Sequence, residues 1–93
     1  MRCMTLVRFP KPTGLNGASL RAVLEDAVPR YRKIPGLRRK YFLGNDTHGG
    51  GVDEWESREA AQAFYYEAWF ERLRTGYGAQ PELQFFDLQA LID

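Results

Sequence analysis

Ninety-three residues with 44% hydrophobic content suffice for one small domain and are too apolar for a disordered chain. Thirteen basic residues against twelve acidic leave a net charge of +1, which excludes the one-sided field expected of a nucleic-acid or anionic-membrane binder. A single cysteine (Cys3) and a single histidine (His48) exclude an internal disulfide and a zinc site built from those residue types. No apolar run reaches the length of a signal segment or a membrane span, so a cytoplasmic protein with no membrane contact is expected.

Cys3 to Phe9 reads as a strand apolar on both faces, with Thr5, Val7 and Phe9 on one side and Met4 and Leu6 on the other. Such a strand is expected to be central and covered twice. The Pro10–Gly14 stretch forms a loop, and Asn16 or Ser19 is expected to cap the helix that follows. In that helix Leu20, Val23, Leu24, Ala27 and Val28 recur at helical spacing. Pro29 is expected to kink it, leaving Arg30 to Ile34 as a last turn or two before Pro35-Gly36 ends it. Six cations from Arg30 to Lys40 straddle a helix end, a turn and a strand. They therefore point several ways and do not form a nucleic-acid face.

Leu37 to Leu43 and Val52 to Trp55 read as the second and third strands, with Gly44 to Gly50 as the turn between them. The Gly49-Gly50-Gly51 run is assigned to that turn and not to a phosphate loop, because no Lys-Ser/Thr and no helix follow it. Ser57 caps a second helix, predicted to run unbroken from Glu59 to Leu73. Ala61, Tyr65 and Trp69 form one row of it; Ala60, Phe64 and Ala68 form the next. Gly76 and Gly78 end that helix, and Leu83 to Leu88 is the last strand. The order βαββαβ is the ferredoxin-like α+β unit, with two helices on one face of a four-stranded antiparallel sheet. The end strands are apolar on both faces, so the second face needs cover. A second copy of the chain is the simplest source, and a homodimer packed sheet to sheet is expected.

The stretches Pro29-Arg30-Tyr31-Arg32, Ile34-Pro35-Gly36-Leu37, Arg39-Lys40-Tyr41, Gly50-Gly51-Val52 and Trp55-Glu56-Ser57-Arg58-Glu59-Ala60-Ala61, with Tyr77-Gly78 and Phe85-Phe86-Asp87, resemble the YdhR-type mono-oxygenase family. The resemblance spans roughly Val7 to Asp87. It implies a dimeric α/β barrel, the architecture also used by antibiotic-biosynthesis mono-oxygenases and haem-degrading enzymes. It further implies a tryptophan near the end of the third strand lining a pocket between sheet and helices, and Trp55 matches that position. Asp53 and Glu54 depart from the pattern, which favours apolar or aromatic residues there.

Adjacent strand residues face opposite ways, so Asp53 and Glu54 point to opposite sides of the sheet. Both lie across the hairpin from roughly Arg39 and Lys40, and cross-strand ion pairs are the structural reading. The functional reading makes Asp53, which shares Trp55's parity, a general base in the pocket, its pKa raised by burial. Trp55, Phe64, Tyr65 and Trp69 are the candidate substrate-binding wall, or an ordinary aromatic core. Lys40, or Arg39, is a candidate for stabilising an oxyanion, or for covering the dimer rim. His48 is expected in solvent, and Cys3 as a small buried hydrophobe. The best-supported function is a cofactor-free mono-oxygenase acting on an aromatic or polycyclic small molecule, with Asp53, Trp55, Tyr65 and Lys40 as its catalytic set. A non-catalytic dimeric binding or sensing module is the alternative, and haem binding or degradation the third. Under either enzyme reading, Trp55→Phe is expected to change activity more than stability.

Overall fold

The computed structural model describes residues 2–11, 14, 17–78 and 80–92. Alternating apolar residues build strand β1 (Cys3–Pro10), which pairs antiparallel with both β3 (His48–Trp55) and β4 (Glu82–Asp87). Strand β2 (Leu37–Gly44) pairs antiparallel with β3, which gives the sheet order β2-β3-β1-β4. β1 is central, as its two apolar faces require, and β4 is an edge. Helices α1 (Gly17–Tyr31), α2 (Arg58–Phe64) and α3 (Glu67–Tyr77) complete the ferredoxin-like arrangement.

The core forms where the helices meet the face of the sheet carrying Cys3, Val7, Phe9 and Trp55; Ala61, Tyr65 and Trp69 close it from above. The opposite face carries Met4, Leu6, Val52, Tyr41 and Phe86, and none of the described helices packs on it. Tyr41 and Phe86 there are 56% and 49% exposed. No helix among the described residues is long and apolar enough to cross a membrane.

Four expectations need correction. Helix α1 begins at Gly17, so Ser19 lies inside it and is not its cap; Asn16 is outside the described residues. Pro29 sits within its last turn without ending it. The helix instead stops at Tyr31, and tight turns follow in which the Lys33 and Ile34 amides donate to Arg30 and Tyr31 carbonyls. The third correction concerns the glycine run, which belongs to β3 and not to the turn. The Asn45 side chain makes the turn in only three residues, its Oδ1 accepting from the Thr47 and His48 amides at 2.9 and 2.8 Å. This leaves Gly49, Gly50 and Gly51 free to pair along the strand.

The fourth correction is that the second helix is broken. Ser57 caps α2 as predicted, its Oγ accepting from the Ala60 amide at 3.1 Å. At Tyr65 the backbone leaves the helical region (φ −85°, ψ 89°), and Tyr66 is extended before α3 begins. Neither residue is Gly or Pro, so nothing in the local sequence marks the break. The buried row Ala61, Tyr65, Trp69 survives it, because all three rings or methyls still face the sheet. Gly78, at φ 74°, ends α3 in the left-handed conformation, its amide donating to the Arg74 carbonyl, whereas Gly76 stays inside the helix.

Glycine is required at Gly50 for close approach: a Cβ there falls 2.0 Å from the Val7 carbonyl oxygen of the neighbouring strand. Gly76, by contrast, has open space around it. Gly50→Ala is therefore expected to lower unfolding free energy in urea by about 3 kcal/mol. Gly76→Ala is expected to raise it by ~0.5 kcal/mol. Equal effects from the two would contradict the pairing of the glycine run in β3.

Candidate functional site

The register of the β2-β3 hairpin sets Lys40 opposite Asp53, with both side chains on the helix-covered face. Asp53 has no exposed surface. A carboxylate there is tolerable only with full compensation. Lys40 Nζ donates to Asp53 Oδ1 at 2.7 Å, and the Tyr65 hydroxyl donates to Asp53 Oδ2. The Lys40 ammonium also lies 4.8 Å from each of the Tyr31 and Phe42 ring centroids, within reach of cation–π attraction. Gly51 makes the room it needs, since a Cβ there would stand 2.8 Å from Nζ.

The polar chain continues away from Asp53. Thr5, 1% exposed on β1, has its hydroxyl 3.0 Å from Tyr65 Oη, and Trp55 Nε1 donates to Thr5 Oγ1 at 2.9 Å. An indole N–H only donates and a carboxylate only accepts, which orients every hydroxyl between them. The protons run Trp55 to Thr5 to Tyr65 to Asp53, with Lys40 donating from the other end. No buried side-chain polar atom among the described residues lacks a partner.

Burial first, and the adjacent Asp53 carboxylate second, push the Tyr65 phenol well above its ordinary range. Tyr65 is thus held as a neutral phenol and not as a standing phenolate. Its ring sits edge-on to Trp69 at 4.7 Å and to Phe64 at 5.0 Å between centroids. The helix break matters at this point. It lets Phe64 reach Tyr31 and Trp55 while Tyr65, the next residue, turns its hydroxyl down to the sheet.

A cavity of about 420 Å³ opens between sheet and helices. Val7, Phe9, Phe42, Phe64, Trp69 and Leu73 give it an apolar and aromatic wall; Lys40 and Tyr65 are the buried polar groups that face it. The structure thus brings Lys40, Phe64, Tyr65 and Trp69 to one cavity. Asp53 and Trp55 stand behind that wall, fully enclosed, and neither is among its lining residues. Asp53 therefore meets the cavity through Lys40 and Tyr65, and Trp55 through the Phe64 and Tyr65 rings that it packs against and through Thr5. Two members of the site carry no signal of it in the sequence: Thr5 reads as one more residue of a strand face, and Tyr31 only as part of the Pro29–Arg32 stretch that carries the family resemblance.

Glu54 faces the outer side of the sheet and pairs with Arg2 at 3.1 Å and Arg38 at 3.2 Å. Hairpin parity alone points to Arg39 or Lys40 as partners for both acids. A register irregularity between Leu37 and Arg39 gives Glu54 to Arg38 instead. His48 donates its amide to the hairpin turn and does not line the cavity. Burial above all raises the Cys3 thiol, so it is no nucleophile at neutral pH. No group of three metal-ligating side chains occurs among the described residues.

No family model matches the sequence, and no curated protein matches it significantly. Solved structures do match. SnoaB, a cofactor-independent oxygenase from Streptomyces nogalater, superposes with a TM-score of 0.71 at 16% identity, over 98% of this chain and 96% of its own. These likenesses establish the fold. The monooxygenase from the gene ActVA-Orf6 of Streptomyces coelicolor, solved with nanaomycin D, gives 0.68 at 20% identity, covering 97% of this chain and 89% of its own. A protein of unknown function from Nitrosomonas europaea, NE2512, gives 0.75 at 18%, covering 98% and 92%.

The raised Tyr65 pKa fixes the sign of a pH effect. Below about pH 10 the phenol is protonated in both folded and unfolded chains, and its contribution to stability is complete. Above that, the unfolded chain loses the proton while the folded one keeps it. Stability should then fall by about 1.4 kcal/mol per pH unit from this group alone. Urea unfolding between pH 9 and 11 is expected to show that fall, reduced by this amount in Tyr65→Phe. Identical pH slopes for the two proteins would mean that the phenol is not held neutral.

Proposed function

We propose that the chain is a mono-oxygenase of the YdhR type, oxidising an aromatic or polycyclic small molecule without a bound cofactor. One observation carries this reading: an aromatic-walled cavity large enough for such a molecule has, as its buried polar groups, an ammonium and a phenol wired to one enclosed carboxylate. The fold it shares with SnoaB and the ActVA-Orf6 monooxygenase supports it.

In the proposed reaction the substrate's acidic O–H or C–H gives its proton to Tyr65 Oη as Tyr65 passes its own to Asp53 Oδ2. This transfer leaves the substrate anionic and Asp53 neutral. Lys40, whose charge had compensated Asp53, then compensates the substrate anion without moving. The anion is electron-rich enough to reduce dioxygen directly. For an anthrone-type methylene, one oxygen atom becomes the new carbonyl, and the other leaves as water with the two methylene hydrogens. Trp55 serves this scheme from behind, by holding Thr5 and so the Tyr65 hydroxyl.

The non-catalytic reading draws on the same geometry, since a satisfied Lys40–Asp53 pair is also what a passive binding pocket needs. Haem binding has less support, because the one histidine lies outside the cavity wall. Oxygen uptake with anthrone and quinol substrates separates the first two. Uptake is expected to saturate with substrate and to fall ~100-fold in kcat for Tyr65→Phe, with KM little changed. The enclosed position of Trp55 behind the cavity wall reverses the sequence-based expectation for it: Trp55→Phe, which removes a buried donor and part of a core ring, is expected to cost about 2 kcal/mol of stability and to affect turnover less. No substrate-dependent uptake, or full activity in Tyr65→Phe, would overturn the oxygenase assignment.

We propose as well that two copies pack through their outer sheet faces, where Tyr41 and Phe86 are half-exposed beside Met4, Leu6 and Val52. Light scattering is expected to give twice the chain mass of 10.7 kDa, and Phe86→Asp is expected to halve it. A monomer at micromolar concentration would contradict this.

A further inference from the structure

The cavity has a charge asymmetry that the proposed reaction does not use. Among the described residues, Arg30, Lys40 and Arg72 are the cations that line it, and no acidic residue does. A chain of net charge +1 thus puts three cations and no anion around one apolar space. Lys40 is committed to Asp53. Arg30, in the last turn of α1, and Arg72, midway along α3, make no ion pair among the described residues. The acid next to Arg72, Glu71, is taken by Arg74. Both arginines are exposed while Tyr65 and Trp69 are buried, so the two guanidinium groups mark the solvent side of the cavity.

A helix C-terminus favours a cation, which would account for Arg30 alone. It does not account for Arg72, which is contributed by a different helix to the same space. We infer that the substrate is an aromatic carboxylic acid, its rings against Phe64 and Trp69 and its carboxylate held at the rim by Arg30 and Arg72. The inference rests on reading this cavity as the substrate site. Guanidinium groups match a carboxylate in planarity and in paired donors, and they keep their charge at every working pH. The arrangement orients the molecule. With its acid group fixed at the rim, the opposite end of the ring system is the part presented to Tyr65 and Lys40.

The test is ligand binding, read by tryptophan fluorescence without turnover, using anthraquinone-2-carboxylate and its neutral carboxamide. The wild-type protein is expected to bind the carboxylate about tenfold more tightly, the sum of two partly solvated charge contacts. In Arg30→Gln/Arg72→Gln that preference is expected to vanish, with carboxamide affinity changing less than twofold. Equal binding of both ligands by the wild type, or a preference that survives the double substitution, would overturn the inference and leave the oxygenase proposal standing. A carboxylate preference in a protein that consumes no oxygen would overturn the oxygenase proposal alone.

Discussion

A carboxylate with no exposed surface is the constraint on which this structure turns. Burying Asp53 costs several kcal/mol unless both oxygens are met by donors and the charge by a counter-ion. Lys40 supplies the charge and one hydrogen bond, and Tyr65 supplies the other. Each donor is itself held. Lys40 is caged by Tyr31 and Phe42, and Tyr65 accepts from Thr5, which accepts from Trp55. Residues from β1, β2, β3, α1 and the α2–α3 junction thus meet at one carboxylate.

That requirement accounts for features that look unrelated along the chain. The glycine run in β3 lets the strands approach closely and, at Gly51, leaves space for the Lys40 ammonium. The interruption between α2 and α3 turns two consecutive aromatics toward different partners, Phe64 across the cavity and Tyr65 down to the sheet. An unbroken helix would separate their directions by about 100° with no freedom to adjust either. Lys40 and Tyr65 both hold the fold at this point and face the cavity, so stability and the proposed chemistry share these two side chains.

Much of this was legible in the sequence. Strand periodicity, the Ser57 cap and the order of elements follow from local rules that act over a few residues. The pairing of Asp53 with the Arg39–Lys40 region was readable from hairpin parity, to within one residue. What local rules could not show has a common cause. The helix break at Tyr65 carries no Gly or Pro signal, because its origin is tertiary: a hydroxyl 12 positions away from the carboxylate it must reach. The glycine run read as a turn because glycine's φ freedom is the usual reason for it. In this chain the reason is the absence of a side chain. Thr5 and Tyr31 were invisible as site residues, since nothing in their own neighbourhoods distinguishes them from a strand face and a helix end. Trp55 illustrates the reverse. Its position near the end of β3 matches a pocket residue by resemblance, whereas its surroundings make it a donor beneath the cavity wall.

The central claim, that Lys40 and Asp53 are tied as one unit, is tested most directly by a double-mutant cycle in urea with Lys40→Met, Asp53→Leu and the combined variant. Removing Lys40 alone leaves a buried carboxylate without its counter-ion and should cost about 3–5 kcal/mol. Removing both should cost markedly less than the sum of the single substitutions, giving a coupling of at least ~2 kcal/mol. Small and additive effects would mean that the carboxylate is not held as described, and the account of both the fold and the site would fail together.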